Sequence, residues 1–168
     1  MIVRGGGRCA TRLARIASRC ALFGATLAVV AANAIAQSPV STVSPASIVF
    51  EGDAIPAPLT ATPGDAARGR NVVIERDKGH CILCHAVPDP EVKFAGNVAP
   101  PLNGVARRLT AAQIRGRIAD PTRHDRDTVM PAYFRTEALR RVAKPYAGKT
   151  VLSAQDVEDA VAYLSTLR

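Results

Sequence analysis

The five residues Cys81-Ile82-Leu83-Cys84-His85 place two thiols three positions apart, with an imidazole immediately after the second. At that spacing two thiols can add to the two vinyl groups on one edge of a porphyrin. The next side chain can then bring a ring nitrogen onto the iron, which is the C-x-x-C-H pattern of c-type haem attachment. One covalent haem c is therefore the expected cofactor. Cys81 and Cys84 are its attachment residues, and His85 is an axial iron ligand.

The chain around this motif suits that reading. Arg4, Arg8, Arg12, Arg15 and Arg19 come first, with no acidic residue before Glu51. An apolar run over residues 21–32 follows, then Ala34-Ile35-Ala36, a small-x-small cleavage site. The run is too short for a hydrocarbon core about 30 Å thick, which takes about 20 helical residues. Residues 1–36 are thus expected to be a signal peptide removed on export to the periplasm, with no stable membrane insertion. Removal takes the net charge from +8 to +3, since five arginines and no acids leave. A nucleic-acid partner is not expected for an exported chain of that charge. Cys9 and Cys20 leave too, and the remaining pair sits where free thiols normally oxidise to a disulfide. Two cysteines are too few for a structural zinc site, and a thioredoxin-like pair would need a βαβ context that is missing.

Residues 37–63 carry prolines at 39, 45, 56, 58 and 63, so they predict an extended segment without regular helix. Ile48, Val49, Phe50, Ile55 and Leu59 are more apolar than a linker requires. They are expected to lie on the chain's own domain or on a partner, a simple tether being the alternative. Residues 64–168 read as an all-α domain that is complete without that segment. Asp65 is the expected N-cap of a first helix running to about Arg76, with Ala66, Gly69 and Val73 on one face. Thr110 and Gln113 form a capping box for a second helix, with Ile114 and Ile118 facing the core and Asp120-Pro121 ending it. Ser153 and Asp156 cap the last helix, whose apolar stripe is Val157, Ala160, Val161, Leu164 and Leu167. Glu158 and Asp159 are read as acids near its start that suit the helix dipole. The joins at 86–109 and 120–152 are long for a small domain. With no Trp and few aromatics, the core calls for a large apolar group.

Once Met1 has left, Met130 is the remaining methionine. It stands in Val129-Met130-Pro131, within an irregular stretch where a second iron ligand is expected. His124 is the alternative; His80 adjoins Cys81 and is tied by the attachment loop. Two protein ligands leave no position for substrate and predict electron transfer, and His/Met ligation raises the potential.

Pro100-Pro101-Leu102-Asn103-Gly104 resembles the Gly-Pro-x-Leu-x-Gly segment of class I cytochromes c, with Ala99 in place of the first glycine. The resemblance implies that the Pro100 carbonyl accepts from the axial histidine, that Leu102 packs on the ring, and that Gly69 and Tyr163 mark a close helix crossing. A narrower likeness lies in Asp120-Pro121-Thr122-Arg123, in Thr128 to Arg135, in Tyr146-Ala147-Gly148-Lys149 and in Leu152 to Leu164. Ala54-Ile55-Pro56 and Pro63 to Arg70 extend it before the motif. Over about residues 53–168 the chain resembles SoxX, the monohaem cytochrome subunits of the sulfur-oxidation complex SoxAX. That resemblance implies a subunit of an L-cysteine S-thiosulfotransferase, which joins thiosulfate oxidatively to a cysteine of the carrier SoxYZ. The expected partner is a SoxA-like cytochrome holding the catalytic haem, and no catalytic residue is expected here. Transient partners would be SoxYZ and a small cytochrome c acceptor. A free-standing periplasmic cytochrome c shuttle is the competing expectation. From Arg107 to Arg141 nine arginines face four acids, either a solvated surface or a steering surface for an acidic protein or an anion.

Overall fold

In the computed structural model, which describes residues 42–168, the Asp65 carboxylate accepts from the Arg68 amide at 2.8 Å and starts helix α1, Ala66–Ile74. The helix ends two residues before the expected Arg76. The chain folds back there, and the Gly79 amide donates to the Val72 carbonyl at 2.9 Å while the His80 amide donates to Glu75 at 3.2 Å. This return loop satisfies carbonyls that a helix end leaves open. A short helix α2, Val105–Arg108, follows the attachment region. Helix α3, Ala111–Ala119, has the Thr110/Gln113 capping box and buries Ile114 and Ile118 as expected. Helix α4, Ala154–Leu164, has the Ser153/Asp156 box and buries Val157, Ala160, Val161 and Leu164, with Leu167 packing just beyond its end. Among the described residues the only strand pairing is two isolated bridges, Thr42 with Thr60 and Glu51 with Ala54. No helix among them is long and apolar enough to cross a membrane.

The crossing of α1 and α4 is the main helix contact. Gly69 makes it possible, since a Cβ there would run into the Asp159 carbonyl oxygen and the Tyr163 side chain. A glycine inside a helix costs about 1 kcal/mol relative to alanine, and this backbone approach is what it permits. Asp159 adds polar cross-links. It accepts from the Asp65 amide at 2.8 Å and from both the Nε and a terminal nitrogen of Arg68, at 2.7 and 2.8 Å.

The segment before α1 lies on the chain's own domain, the first of its two expected placements. Ile55 and Leu59 are 2% and 1% exposed and belong to the central core. Polar contacts bind the same stretch. The Ile55 amide donates to the Ala112 carbonyl at 2.9 Å, and the Leu59 amide to the Glu158 carboxylate at 2.8 Å. Arg115 donates to the Ile55 carbonyl at 2.8 Å and pairs with Glu158 at 2.7 and 2.9 Å, both side chains 7% exposed. Gly116 lets the Asp53 carbonyl lie directly on α3. Glu158 and Asp159, read as acids that suit the helix dipole, are also buried groups with several donors each. The physical reason is the narrow, extended chain laid over α3 and α4, which puts amides beside their carboxylates. Residues 1–36, expected to be the signal peptide, lie outside the described residues.

Candidate functional site

Cys81 and Cys84 sit in a short 3₁₀ turn, Cys81–Leu83, entered through His80 in a left-handed conformation (φ 47°). The Cys84 and His85 amides both donate to the Cys81 carbonyl, at 3.1 and 2.9 Å, which keeps the two cysteines and His85 on one tight turn. Both cysteines are half-buried and not joined to each other. Burial pushes the Cys81 thiol up to about 11.

The strand-like loop after the motif folds back along it. Gly96 donates to the Ile82 carbonyl at 2.8 Å, Ala99 to Cys84 at 3.0 Å and Leu102 to Ala86 at 2.8 Å. This brings the Pro100 carbonyl 2.6 Å from His85 Nδ1. A carbonyl oxygen can only accept, so Nδ1 carries the proton and Nε2 keeps its lone pair for a metal. Such an outer hydrogen bond fixes the tautomer and ring orientation of a ligating histidine. Arg70 holds the loop from the other side, bonding Asp89 and Glu91. The Asp89 carboxyl is held below the usual carboxylate range by that hydrogen bond with Arg70.

Met130 is half-buried and packs against the core, with its amide donating to Thr128 Oγ1 at 3.2 Å. Cys81, Val87 and Leu102 pack against the same core. His124 turns elsewhere: it is half exposed, with Nδ1 3.9 Å from Asp53 Oδ2. Among the described residues no three His, Cys, Asp or Glu side chains group as a metal cluster would require. The donor set present is two unpaired thiols on one turn, an imidazole with a defined free nitrogen, a half-buried thioether and apolar neighbours. Those residues fit a haem c.

Of the nine arginines in the tract, Arg115, Arg117 and Arg135 are buried or half-buried on acids of the same chain, and the other six are exposed. Arg115 is buried on Glu158, Arg117 reaches Asp53 at 3.1 Å, and Arg135 pairs with Asp120 at 2.9 Å. Arg123 lies over the Phe50 ring, 4.9 Å from its centroid, a cation–π contact. One residue of the site region drew no attention in the sequence. Tyr133 buries its ring and donates its hydroxyl to the Gly79 carbonyl at 2.8 Å. Its position three residues after Met130 and its polar tip in an apolar stretch were the available signals.

No family model matches the sequence, and no curated protein does. Among solved structures, the chain is similar to a chain of the crystal structure of SoxXA from P. pantotrophus. The two are 34% identical with a TM-score of 0.70, over 76% of this chain and 98% of that one. Agreement over nearly the whole of that chain carries its cytochrome c-like helical fold across. With the single attachment motif and the residues that surround it, the likeness shows that the chain belongs to the SoxX family of cytochromes.

Proposed function

We infer that this chain is the electron-transfer monohaem c subunit of a periplasmic SoxAX complex, an L-cysteine S-thiosulfotransferase. The observation that carries the reading is the likeness over 98% of a SoxXA chain, together with two candidate protein donors, His85 and Met130. Joining thiosulfate to a carrier thiol forms one S–S bond and releases a proton and two electrons. A monohaem subunit relays those electrons singly. Haem c supplies a one-electron ferric/ferrous couple when attached. The chain's own residues do the rest. Cys81 and Cys84 hold the group, Pro100 keeps the His85 proton on Nδ1, and Met130 contributes a soft thioether, which favours the reduced state. With His85 and Met130 both on the iron, no place would remain for substrate, and bond making would fall to the partner cytochrome.

The free-shuttle reading draws on one observation. Ile55 and Leu59, apolar residues that a partner could have covered, are used inside this chain. One experiment separates the two. The tagged mature protein, purified from the periplasm, should bring down a larger cytochrome, and the pair should take up electrons when thiosulfate and a SoxYZ carrier are added. A protein that comes down alone, yet reduces an oxidase, is a shuttle.

A further inference from the structure

Tyr133 joins parts of the molecule that nothing else joins by a hydrogen bond. Its amide donates to the Ile118 carbonyl at 3.1 Å, and its own carbonyl accepts from Val151 and Leu152, each at 3.0 Å. The next residue repeats the anchorage, Phe134 donating to Ala119 at 3.1 Å. The backbone at 133–134 is thereby fixed to the end of α3 and to the chain entering α4. The side chain points the other way, its hydroxyl donating to the Gly79 carbonyl in a buried bond that spans 54 positions of sequence. Gly79 is itself held, through its amide on Val72 and by close approach to the Val72 carbonyl and the Cys81 sulfur. Among the described residues this is the single hydrogen bond between the segment carrying Met130 and the segment carrying Cys81, Cys84 and His85.

Apart from side-chain packing against the core, Met130 has little else to hold it. Residues 124–132 form no helix, and their hydrogen bonds are short-range: Asp125 to Pro121, Asp127 and Thr128 to Asp125, and Met130 to Thr128. The distance between a thioether on this segment and an iron over the attachment turn is then governed by what spans the two. We propose that Tyr133 is a positioning residue for the Met130 thioether, clasping the two walls of the haem site so that Met130 resists displacement by external ligands. The proposal rests on the reading of Met130 as an iron ligand.

The test uses the mature holoprotein in the ferric state, titrated with imidazole while the weak far-red band of sulfur ligation is followed. Tyr133→Phe keeps the ring and its packing and removes only the hydroxyl, leaving the buried Gly79 carbonyl without its donor. It should bind imidazole about tenfold more tightly than wild type, the size expected for one buried hydrogen bond. Thr60→Val is the control, because it breaks the bond from Thr60, on the extended segment before α1, to Gln155 of α4. It should lower the melting temperature yet leave imidazole affinity within about twofold. The proposal is overturned if Tyr133→Phe binds imidazole as wild type does, or if Thr60→Val matches it, since that would mark general loosening only. A far-red band that persists in Met130→Ala overturns the ligand assignment itself, and the two failures are told apart by that variant.

Discussion

A thioether is a weak donor that competes for iron only when the fold presents it, so Met130 is the residue whose removal is most informative. Met130→Ala is expected to lose the far-red band and become high-spin or take up a new ligand. His124→Ala should leave the spectrum as it was, because His124 faces Asp53. An unchanged Met130→Ala spectrum would transfer the assignment to another group. The covalent link is tested separately. Tryptic peptides of the mature protein should carry haem mass on the fragment containing both Cys81 and Cys84 after full denaturation. Free thiols or a disulfide there would refute the haem site. His85 follows from the spacing of the attachment motif, and its Pro100 acceptor from the resemblance to class I cytochromes c, which the contact between them bears out. Tyr133 depends on a partner 54 positions away, so its place after Met130 could mark the residue but not the contact.

Between elements, Arg115 pairs with Glu158 in a buried tie; Glu158 also accepts from the Leu59 amide, and Arg115 donates to the Ile55 carbonyl. Breaking a buried pair by removing one partner costs about 3–5 kcal/mol, because the other charge stays buried. Glu158→Ala should therefore lower the unfolding free energy by roughly that amount, read from urea titration. A loss below about 1 kcal/mol, the ordinary worth of an exposed pair, would mean that water reaches Arg115 freely. The extended segment is expected to behave as part of the same unit. Ile55 and Leu59 each bury apolar surface worth roughly 1.5–3 kcal/mol. Deleting residues 37–58 removes Ile55 and disrupts the clamp. It should depress the melting temperature and the yield of haem-loaded protein, as well as any partner binding. Normal haem loading at wild-type stability would show that the helices stand without the strap.

Across the whole molecule, charge pairing predicts how the fold meets acid. Burial alone would raise the carboxyls of Asp159 and Asp156. Hydrogen bonds from Arg68, the Asp65 amide and Gln155 outweigh it at Asp159; those from Ser153 and Lys78 do so at Asp156, and both end below the ordinary value. Asp89 is lowered as well by Arg70. A carboxylate with a lowered folded pKa contributes stability above its unfolded value, about 3.9, and loses it as pH falls through the folded value. The melting temperature should thus be flat with respect to these groups near neutrality and fall below about pH 4. Asp159→Asn should melt lower at pH 7 and show a shallower acid limb. A variant whose acid limb parallels wild type would exclude Asp159 as a contributor.

What the sequence determined by itself was everything whose partners lie within a few residues. The caps at Asp65, Thr110/Gln113 and Ser153/Asp156 fall where propensity and spacing put them, since each closes its own hydrogen bonds within three positions. The attachment turn is local in the same sense, and so is the apolar stripe of α4. Only the tertiary structure decided that Glu158 and Asp159 are buried clamps and that Ile55 and Leu59 belong to the core. It also decided that Arg115, Arg117 and Arg135 spend their charge on acids of the same chain. Those roles come from contacts such as Leu59 with Glu158, 99 positions apart. A carboxylate in an exposed-looking helical turn is written identically whether water or a returning strand of chain lies above it, and packing alone chooses between them.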